Sequence, residues 1–218
     1  MPYEITTFAH MGVNCYLVKT ESSFVMVDAG FALAQGNLKK TLVEAGCKPG
    51  DLKLVVLTHA DWDHTGNCLF LRKKYGAKIA VHRNEGLALE TGNMYANRKR
   101  KGTVPKLVYG LFRPALVRTF KADVFVADGE DLLPYGFNAR VIDTPGHTIG
   151  SISILPVFGD FFCGDFLTNN GKPQANSFLD DAGEMEASVK KLKDLDIKRI
   201  YPGHGKPFKP DEFFTGNQ

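Results

Sequence analysis

The sequence predicts an α+β protein built as two β-rich halves, with two sheets packed face to face and helices outside. Three observations carry this expectation. Short apolar runs of strand length alternate with amphipathic runs of helix length along the 218 residues. The alternation occurs twice, once up to Val81 and again from Val124 onward. No Pro/Gly/Ser-rich linker or low-complexity tract separates the two parts, so residues 1–218 are expected to form a single domain.

Cys15 to Val18 and Phe24 to Val27 read as strands joined by the polar turn Lys19 to Ser23. Gln35 to Ala45 reads as a helix stopped by Gly46. Leu52 to Leu57 is a nearly continuous β-branched and Leu run, the pattern of a strand buried on both faces. Cys68 to Tyr75 reads as a short helix ending at Gly76, and Lys78 to Val81 as the next strand. In the second half, Val124 to Val126, Ala139 to Ile142, Ser151 to Leu155, Asp160 to Cys163 and Lys198 to Tyr201 read as strands, with a helix over Met185 to Leu195.

Apolar content is 44%, charged content 23% and the formal net charge +3. That balance is too mild to point to nucleic acid or a membrane surface, and a small-molecule partner is expected. No apolar run approaches the ~20 residues needed to span a bilayer. Met1-Pro2-Tyr3-Glu4 does not open a basic-then-apolar leader. None of Cys15, Cys47, Cys68 and Cys163 stands at C-x-x-C spacing. They read as small buried hydrophobes in a reducing compartment, so the cytoplasm is the expected location.

The informative segment is Thr58-His59-Ala60-Asp61-Trp62-Asp63-His64-Thr65-Gly66, which places four ligand-type side chains in six residues directly after the buried strand. Ligands in α/β architectures collect at the carboxyl ends of strands, where a rigid scaffold holds the loops. A polar turn with an Asp N-cap is the plainer alternative. His147 in Thr-Pro-Gly-His-Thr, Asp165 after Gly164, and His204 in Pro-Gly-His-Gly share the placement after a strand. Glycine beside each lets the backbone turn sharply and approach a metal closely. Four of the six histidines fall in such turns, which isolated structural histidines would not do.

His59-x-Asp61-x-Asp63-His64, His147, Asp165 and His204, with Asn14-Cys-Tyr-Leu-Val18 and Val27-Asp-Ala-Gly30, resemble the metallo-β-lactamase superfamily in order and spacing over nearly the whole chain. The resemblance implies a four-layer αββα sandwich with a two-metal site along one edge. It implies that His59, Asp61 and His147 hold one divalent ion, that Asp63, His64 and His204 hold a second, and that Asp165 bridges. Zinc is the first expectation, with iron and manganese as the others. The implied function is hydrolysis of an ester, thioester, lactone, amide or phosphodiester bond by a bridging hydroxide, with Asp63 orienting the hydroxide and accepting its proton. The alternatives are non-haem iron redox chemistry on oxygen or a persulfide, and a metal-bearing binding protein with little turnover.

One departure matters. The family motif usually has histidine where this chain has Asp61. Two divalent ions against three carboxylates leave a net charge of about +1, and a histidine at that position would leave about +2. A less positive site is a weaker Lewis acid, and a carboxylate is a harder ligand that tilts the preference toward iron or manganese. On that count Asp61→His should keep the fold and shift the preference toward zinc.

Other polar residues read more plainly. His10 and His82 lie outside the motif and read as structural or solvent-facing. Asp28 reads as holding a turn near the site, Trp62 as packing or lining the pocket, and Cys163 as buried packing. Residues 85–120 interrupt the strand pattern as a helical, lid-like insert. Val104, Leu107, Val108, Leu111, Phe112, Ala115 and Leu116 recur at helical spacing, with Thr103 as N-cap, Pro105 in the first turn and a kink at Pro114. This stripe suits a packed surface helix, a lid over the site, or a dimer or membrane-surface contact. The basic run Asn97-Arg-Lys-Arg-Lys101 reads as a solvated turn that could also steer an acidic substrate.

Overall fold

The computed structural model describes residues 3–96, 98–99 and 117–215. The apolar stripe expected over Val104 to Leu116 lies outside the described residues.

The first half is built on β1 (Glu4–His10), β2 (Val13–Lys19), β3 (Phe24–Val27), β4 (Leu52–Val56), β5 (Lys78–His82) and β6 (Val124–Val126), with α1 (Gln35–Glu44) and α3 (Cys68–Tyr75) between strands. A short α2 (Trp62–Thr65) lies in the ligand-rich loop, and α4 (Gly86–Thr91) follows β5. The second half holds β7 (Ala139–Asp143), β8 (Ile152–Pro156), β9 (Asp160–Asn169), β10 (Gln174–Ala175), α5 (Ala182–Lys191), β11 (Arg199–Gly205) and α6 (Pro210–Thr215). Asp181 caps α5 by accepting from the amides of Gly183 and Glu184.

The pattern-based strands and helices that fall on described residues are present. β1 is an addition that patterning did not reveal. It pairs antiparallel with β2 through a two-residue turn at Met11 and Gly12, both at positive φ (+53° and +82°). Its alternation is faint because Phe8 alone along it is fully buried.

Hydrogen bonding runs in the order β6-β5-β4-β3-β2-β11-β9-β8-β7, with β1 beside β2 and β10 beside β9. Strands β3 to β6 pair in parallel, as expected for strands separated by helices. The two halves join at β2 and β11, where His204 pairs with Val13. Three buried clusters define the layers. Tyr16, Val18, Val27 and Val56 from the first half pack against Val141, Ile154 and Phe162 from the second, so the two halves of the sheet face each other. Outside the first half, Leu38 and Leu42 of α1 and Leu71 and Tyr75 of α3 cover Leu17, Met26 and Val55. Outside the second, Met185 of α5 and Phe213 of α6 cover Phe161 and Ile200. This is the four-layer αββα arrangement.

Two strands run further than their apolar patterns indicate, and both matter to the site. β9 continues through Gly164 and Asp165 to Asn169, and β11 continues through Pro202 and His204 to Gly205. Asp165 and His204 therefore lie within strands and not in turns after them. The register between β9 and β11 shifts at Tyr201/Pro202 and again at Pro202/His204. Proline cannot donate to the ladder, and Gly164 takes a φ of +49°, so irregular pairing interrupts the pleat where these two side chains leave it.

Candidate metal centre

The site begins where β4 ends. Asp61 occupies the N-cap position of α2, yet its side chain makes no capping bond. The carboxylate turns inward instead, which answers the polar-turn alternative. Its Oδ2 lies 3.3 Å from His147 Nε2 and 3.7 Å from His59 Nε2. On the other side, Asp63 Oδ2 lies 3.7 Å from His64 Nε2 and 3.6 Å from His204 Nε2. Asp165 stands between the two sets. Its Oδ1 is 3.3 Å from His64 Nε2, and its Oδ2 is 3.2 Å from His204 Nε2 and 3.9 Å from His147 Nε2. All seven residues singled out in the sequence therefore converge.

The donor set fits metal ions on three counts. In three groups, His59/Asp61/His147, His59/His64/Asp165 and Asp63/His64/His204, the ligand atoms lie within 4.8 Å of one another. Tetrahedral N and O donors about 2.1 Å from a metal stand roughly 3.4 Å apart, close to the separations above. The four imidazoles also offer the same nitrogen. Each Nδ1 has a neighbour: Thr58 Oγ1 for His59 at 2.9 Å, Asp28 Oδ2 for His64 at 2.9 Å, the Phe178 carbonyl for His147 at 2.5 Å and the Gly12 carbonyl for His204 at 2.8 Å. Carbonyl and carboxylate oxygens accept only, and the Thr58 hydroxyl gives its proton to Asp28, so each Nδ1 carries a proton and Nε2 is the nitrogen left to face a metal. Finally, His59 Nε2, His64 Nε2 and Asp165 Oδ1 are buried with no hydrogen-bond partner among the described residues. Buried polar atoms left this way are costly unless something else binds them.

Without a metal, the cluster is strongly polarised. Burial works against a charged His64, yet the Asp165, Asp28 and Asp63 carboxylates around it hold its pKa well above the usual histidine range. Burial and the neighbouring His64 push His59 well below that range. Asp165 is held well below the carboxylate range despite burial, through His64 and His204. Asp61 is lowered in the same way by His147, His59 and Arg98. Asp63 moves in the opposite direction, because burial raises it more than His64 and His204 lower it.

A second set of side chains holds the ligand loops, and the sequence pointed to it only in part. Asp28 accepts from the Thr58 amide at 2.8 Å, the Thr58 hydroxyl at 2.9 Å and His64 Nδ1 at 2.9 Å. The turn role read for it is there, with a direct hold on a candidate ligand added. Glu85, which sequence reading did not single out, is buried and accepts from the Ala60 amide at 3.0 Å and the Gly150 amide at 3.1 Å. It ties the loop bearing His59 and Asp61 to the loop bearing His147. Glu85→Gln should leave one of these amides facing an NH2 group, at a cost of about 1–3 kcal/mol. A melting curve should then show a drop of roughly 2–12 °C; an unchanged melting temperature would mean that the loops hold themselves.

Arg98, expected in a solvated turn, is the main correction. Its side chain is 4% exposed, and its Nη2 donates to Asp61 Oδ1 at 2.6 Å. Lys99, by contrast, is exposed and pairs with Asp181. His82 caps the turn that follows it by accepting from the Asn84 amide, and His10 stacks on Phe8, so both stay outside the cluster. Trp62 packs edge-on against Phe31, and Cys163 is buried.

At Gly203 the side chains of the cluster themselves exclude a Cβ. A Cβ on Gly203 would lie 2.4 Å from Asp165 Oδ1 and 2.8 Å from His64 Cε1. Gly203→Ala should therefore displace two candidate ligands and weaken metal binding by at least the roughly 10–100-fold seen when ligand orientation is lost. Metal content after dialysis against a chelator checks this, and wild-type retention would contradict it.

The sequence profile of the metallo-beta-lactamase superfamily matches residues 10–204, a span that takes in all seven cluster residues. The chain belongs to the metallo-beta-lactamase superfamily. Among relatives, the beta-lactamase-like protein 2 homolog of Caenorhabditis elegans is 26% identical over 204 residues, covering 91% of this chain. The chain spans 57% of that relative's length. A "probable metallo-hydrolase" of Methanocaldococcus jannaschii is 26% identical over 196 residues, covering 88% of this chain and 87% of the relative. Among solved structures, TTHA1623 in a di-iron-bound form superposes with a TM-score of 0.71 at 23% identity, covering 94% of each chain. BJP-1, a subclass B3 metallo-beta-lactamase of Bradyrhizobium japonicum, superposes with a TM-score of 0.69 at 21% identity, covering 93% of this chain and 75% of that one, and this likeness shows the metallo-beta-lactamase fold.

Proposed function

We propose that this chain is a metal-dependent hydrolase. His59, Asp61 and His147 would hold one divalent ion, Asp63, His64 and His204 a second, and Asp165 would contact both. The observation that carries the reading is the convergence of four Nε2 atoms and three carboxylates, with each Nδ1 already engaged. Two divalent ions bound there would supply a water activated at neutral pH and an electrophile for the bond cleaved.

The chain's own residues divide the remaining work. Asp63 is the most open of the three carboxylates and is the proposed proton acceptor during attack on an ester, thioester, lactone, amide or phosphodiester. Asp63 and His204 are also the more open members of the cluster, at 18% and 24% side-chain exposure, so substrate is proposed to approach from their side.

Residues 85–120 are proposed to select the substrate, supported by the reach of Arg98 from that segment to Asp61. Zinc suits four imidazoles, while the carboxylate at position 61 favours the second reading, an iron centre with redox chemistry. Among the described residues no helix is long and apolar enough to cross a membrane. The four cysteines are free and buried, which supports a cytoplasmic location.

The test is anaerobic metal analysis of native protein, followed by turnover on thioester, lactone and phosphodiester panels. Two equivalents of metal with hydrolysis of one panel is the expected result. Loaded protein inert on all panels but reactive toward oxygen or a persulfide would favour the iron reading, and protein that takes up no metal would overturn both.

A further inference from the structure

The pairing of Arg98 with Asp61 bears on the position where this chain departs from its superfamily. Asp61 uses its two oxygens differently: Oδ2 faces His147 and His59, while Oδ1 accepts from Arg98 at 2.6 Å. Both side chains are buried, at 4% for Arg98 and 7% for Asp61. Among the described residues, Arg98 is the one Lys or Arg paired with a carboxylate of the cluster. Its guanidinium lies 5.3 Å from the Phe178 ring centroid and 5.7 Å from that of Tyr95. The next residue fastens the segment, since the Lys99 amide donates to Asp180 at 2.9 Å. An arginine held in this way cannot turn into solvent without breaking several contacts.

We propose that Arg98 is a positioning residue for the metal centre and that Asp61 and Arg98 act as one unit in place of a single neutral imidazole. This rests on the reading of the cluster as a metal site. The guanidinium occupies Oδ1 and so presents Asp61 to the metal through Oδ2 alone. It also returns one positive charge to the site, so that two divalent ions, three carboxylates and one arginine leave about +2, the balance of the histidine version. The weaker Lewis acidity that follows from counting Asp61 alone is thereby offset, and the expectation for Asp61→His changes with it. Histidine introduced at position 61 would leave a buried guanidinium without its anion, beside two cations.

The experiment is a double-substitution cycle read by zinc affinity, measured in competition with a chromophoric chelator, and by melting temperature. Asp61→His should weaken zinc binding by at least about tenfold, since breaking a buried pair leaves the remaining charge unpaired. Adding Arg98→Met to it should recover most of that loss. Arg98→Met alone should keep both metals, because all seven ligand side chains remain. Asp61→Asn, with and without Arg98→Met, supplies the same cycle in a side chain of unchanged shape should the histidine variant fail to fold. An arginine that merely packs would give the same shift on either background. Additive effects, or an Asp61→His variant that binds zinc as tightly as wild type, would overturn the pairing. Wild-type protein that binds no zinc, iron or manganese would instead overturn the metal reading beneath it.

Discussion

Asp165→Asn is expected to remove at least one equivalent of bound metal and to lower kcat/KM by more than 100-fold. Loss of a residue that merely orients a ligand costs about 10–100-fold, and Asp165 is proposed as a ligand to both sets. Its two oxygens lie 3.3, 3.2 and 3.9 Å from the Nε2 atoms of His64, His204 and His147, so among the three carboxylates it is the one that meets both groups. Asparagine keeps the shape but replaces one acceptor oxygen by an NH2 group facing an imidazole nitrogen. Asp165 lies 7% exposed in the middle of β9, and the isosteric change should leave that strand intact. Elemental analysis, circular dichroism and steady-state kinetics on one preparation decide the matter. A folded variant with two equivalents of metal and activity within tenfold of wild type would remove Asp165 from the bridging role.

The proposed ligands are legible in the sequence because each signal is local. His59 to His64 follow a run that is apolar at every position but one, and His147 sits in a Pro-Gly turn directly after another strand. Asp165 and His204 were found for a reason that is correct only in part. The flanking glycines do permit close approach, as the contacts around Gly203 show. Yet both residues stand within strands, because irregular pairing carries the backbone on past Gly164 and Pro202. A rule based on apolar alternation ends a strand where the side chains turn polar or small, even when the chain itself continues.

What the sequence hid are the pairings between distant segments. Glu85 reaches an amide 65 residues away, and Arg98 a carboxylate 37 residues away. Neither residue has a local pattern that separates it from an ordinary surface charge. A basic run is usually solvated, and Lys99 behaves that way while its neighbour Arg98 is buried. The informative signal was present in another form. The resemblance puts Asp61 where a neutral ligand is usual, and an extra buried negative charge calls for a compensating cation. Which cation compensates it depends on the fold, since the answer lies in an insert with no strand pattern of its own.

Asp28 should prove nearly as important to metal binding as the ligands themselves. It holds an uncommon backbone position for a residue with a side chain, at a φ of +59°, which Asp and Asn tolerate better than other non-glycine residues. From there one carboxylate fixes two imidazoles. It accepts from His64 Nδ1 directly, and it accepts from the Thr58 hydroxyl, whose oxygen is then free to accept from His59 Nδ1. Asp28→Asn keeps the backbone preference and the volume but turns one acceptor into a donor. Either His64 or Thr58 then loses its partner, and zinc affinity should fall by about 10–100-fold with a small change in melting temperature. Asp28→Ala should lower affinity by a similar factor and also destabilise the fold, because alanine is strained at positive φ and leaves the Thr58 amide unsatisfied. Chelator competition and melting curves on the two variants separate the roles. If Asp28→Asn binds zinc as tightly as wild type while Asp28→Ala melts early, Asp28 holds the turn and nothing more.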